Sequence, residues 1–190
     1  MHEMEKRWIL AAQQGNESRF FGYLVKEHQL AVRGYLRRLT KGNAALSDDL
    51  AQETFLSAYK KITSYNNTGS FKSWLFSIAY RNFLMHMRKN SSNPLMNFPT
   101  ENIDGEEIAE LSHSSLNADD IVDKIDVENA FHSLKKNERS TLTLCYSYGM
   151  SHSEISEIMD MPLGTVKSHI ARGKETLRKI LMPAGEDVLC

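Results

Sequence analysis

With 190 residues, 41% hydrophobic and 25% charged, the chain is long enough for one large or two small domains, each with its own core. It lacks the roughly 20 consecutive apolar residues of a membrane helix, MHEMEKRW has no signal-peptide run, and its two cysteines stand far apart; a cytoplasmic protein is expected, with Cys145 a buried thiol and Cys190 a dangling one. The formal net charge of −1 conceals a segregation: residues 1–92 hold 14 Lys and Arg against 7 Asp and Glu (+7), residues 93–124 hold 1 against 8 (−7), residues 125–182 hold 8 against 7 (+1), and Glu186 and Asp187 add −2.

A basic N-terminal half reads as a polyanion-binding surface. Trp8, Ile9 and Ala12 belong to a first short helix that Gly15 ends, and Asn16 follows as the next N-cap. The second helix is long, with Phe20, Phe21, Leu24, Val25, Leu30, Ala31, Tyr35, Leu36 and Leu39 on a broad apolar face. Arg33, Arg37, Arg38 and Lys41 give its far end a cationic finish that complements the helix dipole.

Ser47 is read as the cap of a third helix, DDLAQETFLSAYKKI, with Leu50, Phe55, Ala58 and Tyr59 facing inward. Asp49, Gln52, Glu53 and Leu56 depart from that stripe and line an exposed ridge. Residues 63–70, TSYNNTGS, form a polar loop, and Ser70 caps a fourth helix from Phe71 to about Lys89. Its Phe71, Trp74, Leu75, Ile78, Ala79 and Phe83 keep helical spacing and read as core. Lys72, Tyr80, Arg81, His86, Arg88 and Lys89 lie between them, an interleaving by which a helix grips a backbone while a nearby loop receives unstacked bases.

Residues 90–124 change character, with two prolines, several Ser and Asn and a run of acids; this composition predicts a linker, mostly disordered when free. Helical pattern resumes near Asp120 with Ile121, Ile125, Val127, Ala130, Phe131 and Leu134 on one face. Asn137 caps the next helix, whose Leu142, Leu144, Cys145 and Tyr148 look inward before Gly149 closes it.

The stretch SHSEISEIMDMPLGTVKSHIARGKETLRKIL, 151–181, reads as a helix-turn-helix completing a bundle of four helices. Ser151 and Glu154 form a capping box, Ile155, Ile158 and Met159 share one face, and Met161-Pro162-Leu163-Gly164 stops the first helix. Thr165 opens the second, which buries Val166, Ile170, Leu177 and Leu181. Lys167, Ser168, His169, Arg172 and Lys174 point away from that core and suit a major groove. An ordinary amphipathic hairpin would share most of these features, and Gly173 inside the second helix costs about 1 kcal/mol relative to alanine.

Three segments together, DDLAQETFLSAYKKI at 48–62, GSFKSWLFSIAYRNFL at 69–84 and MPLGTVKSHIARGKETL at 161–177, resemble the extracytoplasmic-function sigma factors of the sigma-70 family. The resemblance implies an all-α chain of a region-2 domain at 1–92, a flexible acidic linker at 93–119, a region-4 domain at 120–182 and a tail at 183–190. It implies promoter-specific initiation without catalysis, no cofactor, metal or small-molecule substrate, and as partners core RNA polymerase, promoter DNA and an anti-sigma factor, often membrane-anchored. Asp49, Gln52, Glu53, Phe55 and Leu56 would face the clamp helices of the polymerase's largest subunit, while the flap region would be a second contact.

On the same resemblance, Tyr65, Asn66, Asn67, Thr68 and Ser70 would capture a flipped minus-ten base, with Lys72, Tyr80, Arg81 and Arg88 gripping neighbouring nucleotides. Thr165, Lys167, Ser168, His169, Ala171, Arg172 and Lys174 match the positions that would read the minus-thirty-five element. The −7 linker would compete with nascent RNA for a positive exit channel. Where the family commonly has Asn and Asp in the fourth helix this chain aligns Arg81 and Met85, and His169 replaces a frequent Arg. A dimeric helix-turn-helix regulator independent of polymerase is the competing reading. An enzyme finds no support, since His2, His113, His132, His152 and Cys145 fall at no ligand spacing.

Overall fold

The computed structural model describes residues 3–14, 17–66, 68–91 and 127–182. The acidic linker, Gly15, Asn16, Asn67, the tail and Cys190 lie outside the described residues. Described are eight helices: α1 Glu3–Gln13, α2 Glu17–Leu39, α3 Ala44–Lys61, α4 Phe71–Ser91, α5 at 127–133, α6 Lys136–Leu142, α7 His152–Met159 and α8 Leu163–Leu181. A 3-10 turn, Ile62–Ser64, follows α3, and a π-helical turn, Thr143–Ser147, continues α6.

The long helix α2 carries α1, α3 and α4. Its buried residues, Phe21, Leu24, His28, Val32, Tyr35, Leu36 and Leu39, recur every three or four positions and so form one stripe. Leu30 is a correction to the sequence reading: it is 77% exposed. Two positions on from buried His28, it has turned about 200° around the helix and faces the opposite side. His28 Nε2 lies 2.7 Å from Glu5 Oε1, tying α1 to α2.

Local turn chemistry moves three predicted helix starts. Lys41 and Gly42 both adopt positive φ and reverse the chain after α2, which leaves Asn43 as the first residue able to cap α3. Its Oδ1 accepts from Leu46 N at 2.9 Å, whereas Ser47 sits buried inside the helix and donates to Ala44 O. Helix α6 begins at Lys136 with Lys135 as its cap, so Asn137 is already in the first turn. Helix α8 starts at Leu163 after Pro162, not at Thr165. Here Asp160 takes a left-handed conformation, and Met161 N bonds back to Ser156 O at 3.1 Å, so the reversal is complete before the proline. Leu181, expected inside, is exposed near the end of α8, and Cys145 is half-buried.

The two helical groups pack on each other, α7 against α4 and α6 against α2. Helix α4 is consequently buried without a break from Leu75 to Tyr80, covered by α2 and α3 on one side and by α7 on another. Buried apolar side chains from both groups form one continuous cluster. Tyr148 is inserted between Tyr35 and Phe76, with ring centroids 6.3 and 4.9 Å away. Gly34 makes room for it: a Cβ there would lie 2.8 Å from the Tyr148 hydroxyl oxygen.

Candidate nucleic-acid interface

Helix α3 divides its residues by face. Leu50, Ala51, Thr54 and Ala58 are buried, and the opposite side exposes Asp49, Gln52, Glu53 and Leu56, the last at 61%. Phe55 is half-buried and packs against the core from the edge of the ridge. Leu56 is thus an apolar side chain in water, set among acidic and amide groups on the face of α3 away from the core. Neighbouring Asp48 is occupied differently, accepting two hydrogen bonds of 2.8 Å from Arg33.

The loop between α3 and α4 is built on Tyr65. Its ring is buried against Phe71 and Trp74, at 5.5 and 5.3 Å, and its hydroxyl donates to Gly69 O at 2.7 Å. Burial, with a smaller push from Glu5, raises the phenol's pKa and keeps that donor protonated. Tyr65 therefore props the loop from beneath, while Asn66 and Thr68 stand exposed at its tip. Asn66 Oδ1 accepts from Thr68 N at 3.3 Å and Thr68 Oγ1 at 2.8 Å, which closes a small ring. Asn67 lies outside the described residues.

Gln13 had no place in the sequence reading, yet its Nε2 donates to Ile62 O at 2.9 Å and Tyr65 O at 2.8 Å. One α1 side chain thus fixes both sides of the 3-10 turn that launches the loop. No local pattern announces such a contact, because donor and acceptor are 49 and 52 residues apart. Ser70 caps α4, with Ser73 N donating to Ser70 Oγ at 3.0 Å, as its position before the helix suggested.

The α4 residues expected to touch DNA separate into two sets. Arg81 and Arg88 are exposed. Lys72 and Tyr80 are engaged by the C-terminal group: Lys72 Nζ donates to Tyr148 O at 3.1 Å, and the Tyr80 hydroxyl, 4% exposed with its residue, donates to Asn137 Oδ1 at 3.3 Å.

Helices α7 and α8 form the helix-turn-helix. Ser151 N donates to Glu154 Oε2 at 2.9 Å and Glu154 N to Ser151 Oγ at 3.2 Å, completing the predicted capping box. On α8, Val166, Ile170 and Gly173 are buried, and Lys167, Ser168, Ala171, Arg172 and Lys174 are exposed on the outer side, with Thr165 and His169 half-exposed beside them. Ser168 Oγ donates back to Gly164 O, and Lys174 Nζ lies 5.9 Å from the Tyr146 ring centroid. Partial burial and the charge of Arg172, opposed by Glu138, lower the pKa of His169, so its neutral ring with Nδ1 3.3 Å from Arg172 Nη2 dominates at neutral pH.

Among the described residues no three His, Cys, Asp or Glu side chains come together to hold a metal ion, and no helix is long and apolar enough to cross a membrane. The site offers an exposed cationic helix, a propped polar loop and an apolar spot on an acidic ridge, a binding chemistry for nucleic acid and for protein.

Residues 24–93 match the family described as Sigma-70 region 2, and residues 124–177 the family described as Sigma-70, region 4. The ECF RNA polymerase sigma-E factor of Haemophilus influenzae is 31% identical, over 90% of this chain and 92% of its own length. The ECF RNA polymerase sigma factor SigW of Bacillus subtilis is 29% identical over 95% and 98%. Among solved structures, the sigma factor RpoE of Bartonella quintana, crystallised with the anti-sigma factor NepR, shares the fold with a TM-score of 0.71 at 24% identity, covering 87% of this chain and 98% of that one. CnrH, in complex with the cytosolic domain of CnrY, shares it with a TM-score of 0.67 at 21% identity, over 96% and 100%.

Proposed function

This chain belongs to the extracytoplasmic-function group of the sigma-70 family, and we propose that it confers promoter specificity on core RNA polymerase under the control of an anti-sigma factor. RNA synthesis is the polymerase's chemistry; this chain binds, positions and melts. Region 2 is assigned to residues 1–92 and region 4 to 120–182, with the acidic segment between them.

Asp49, Gln52, Glu53 and Leu56 present the α3 ridge to the polymerase clamp, with Phe55 supporting them. Asn66, Asn67, Thr68 and Ser70 line the loop for a flipped minus-ten base, which Tyr65 holds in shape, and Arg81 and Arg88 take the flanking backbone. Flipping costs a few kcal/mol, repaid by pocket contacts available only to the extruded base. Helix α8 enters the minus-thirty-five major groove, where Lys167, Arg172 and Lys174 meet phosphates and base edges beside Ser168, His169, Ala171 and Thr165. Such a protein works in the cytoplasm.

The observation that carries this reading is the exposed cationic side of α8, delivered by a capped helix-turn-helix in a chain whose N-terminal half matches region 2. The test is transcription of genomic DNA by purified core polymerase with and without the protein. Initiation at a defined set of start sites only when the protein is present is expected. Transcripts identical in both reactions would overturn the assignment.

A further inference from the structure

We propose that Glu138 of α6 is a positioning residue that sets the base preference of α8 from behind: it holds Arg172, Arg172 fixes the ring of His169, and the two side chains meet DNA as one donor-only pair. That DNA is the ligand rests on the sigma-factor reading, whereas the three-residue chain rests on geometry.

Glu138 is covered where α6 packs on α8, and its side chain is only 8% exposed. One oxygen, Oε2, accepts from Lys135 N at 3.4 Å, at the start of α6. The other, Oε1, faces Arg172 Nε at 3.9 Å. Gly173 permits this approach, because a Cβ there would lie 3.3 Å from Glu138 Cβ. The Arg172 side chain is 62% exposed, so its inner nitrogen sits against a buried charge while the outer part of the guanidinium stands in water. A long cationic side chain loses rotamer freedom when it binds, and a fixed inner end removes part of that cost beforehand.

His169 lies three residues before Arg172 on the same helix, with Nδ1 3.3 Å from Arg172 Nη2. A guanidinium can only donate, so Nδ1 accepts and the proton of the neutral ring sits on Nε2. Partial burial and the Arg172 charge hold the ring neutral, against an opposing push from Glu138. The pair therefore carries hydrogen-bond donors on the Arg172 guanidinium and on His169 Nε2, and no acceptor is left over. In the major groove guanine offers two acceptors, N7 and O6, whereas cytosine offers the N4 donor. Such a pair selects guanine and rejects cytosine. In the place of a frequent Arg, His169 adds a directed donor without adding charge, so it contributes discrimination rather than salt-dependent affinity.

The test assembles the full chain with core polymerase as parent, Glu138→Gln, Arg172→Ala and the double variant, and binds each to a duplex pool randomised over the minus-thirty-five element. Glutamine keeps the size and the acceptor for Lys135 N but not the charge, so the start of α6 is preserved. The parent should enrich guanine at one position, and in Glu138→Gln that preference should fall on the order of fivefold. Affinity for random duplex should hold or rise in Glu138→Gln, because a negative charge has left the side that meets phosphates. In the Arg172→Ala background Glu138→Gln should change nothing further. Nitrogen NMR of the free full chain, with the His169 ring identified by its loss in His169→Gln, should place the proton on Nε2 in the parent and show mixed tautomers in Arg172→Ala.

An unchanged base preference in Glu138→Gln would overturn the proposal, as would specific and random binding falling together, which is the mark of a merely structural role. So would an undiminished effect in the Arg172→Ala background, or a parent ring protonated on Nδ1. A parent that enriches no sequence at all would overturn the sigma-factor reading instead, and the ring tautomer would then decide whether the three-residue chain stands.

Discussion

Gly173 of α8 and Leu142 of α6 meet with no room between them for a methyl group: a Cβ on the glycine would lie 2.6 Å from Leu142 Cδ1 and 3.2 Å from its Cγ. The side chain cannot swing clear, because Leu142 is itself buried and Glu138 Cβ closes the gap at 3.3 Å. Gly173→Ala would gain about 1 kcal/mol in helix propensity. Overpacking costs about 1–3 kcal/mol. A net loss of about 1 kcal/mol is expected in denaturant unfolding, with weaker binding of minus-thirty-five duplex; a stabilised variant would refute the packing argument.

Glu154 gives the fold a pH dependence of definite sign. Burial pushes its carboxyl pKa up, but hydrogen bonds from Ser151 N, Ser73 Oγ and Ser151 Oγ and the charge of Lys72 outweigh this, and the net shift is downward. A carboxylate depressed in the folded state stabilises above its unfolded pKa, about 4.3, and loses that contribution as pH falls through the lower folded value. Stability measured against pH should therefore decline on the acid side more steeply for the parent than for Glu154→Gln. Superimposable profiles would count against it.

Gln13→Ala removes both hydrogen bonds that hold Ile62 O and Tyr65 O. A loss of about 1–2 kcal/mol is expected. Transcription should drop further than stability explains, because the loop loses its anchor, whereas duplex binding by α8 should be untouched.

Leu56→Ala should leave thermal unfolding within about 0.5 kcal/mol of the parent, since the side chain is in water. Affinity for core polymerase should fall by about 1–2 kcal/mol, roughly tenfold, if the leucine is buried at the clamp. Titration of labelled protein with core enzyme measures it.

Lys167→Ala should weaken minus-thirty-five binding about equally across sequences and reduce the slope of log affinity against log salt by about 1, as a phosphate contact does. Arg172→Ala should instead also relax sequence preference, as a base-edge contact does. Binding titrations at several salt concentrations on matched and mismatched duplexes separate the two.

Sequence legibility follows the range of the interaction. The Ser151–Glu154 box, the Ser70 cap and the α8 polar side connect residues three or four apart, and all were readable. The starts of α3 and α6 were misplaced because Ser47 and Asn137 are good caps in isolation, and the preceding turn had already supplied another start.

The helical class, the order of the two regions and the residues that α8 turns outward can be read along the chain, since helical periodicity and caps are properties of neighbouring residues. That Lys72 and Tyr80 face Tyr148 and Asn137, partners 76 and 57 residues away, emerges only from the packing of the helices. An apolar or aromatic residue in a pattern declares that it will be covered, not by what. The covering surface is chosen by shape, through Gly34 and the ring it admits, and shape exists only once the helices have packed.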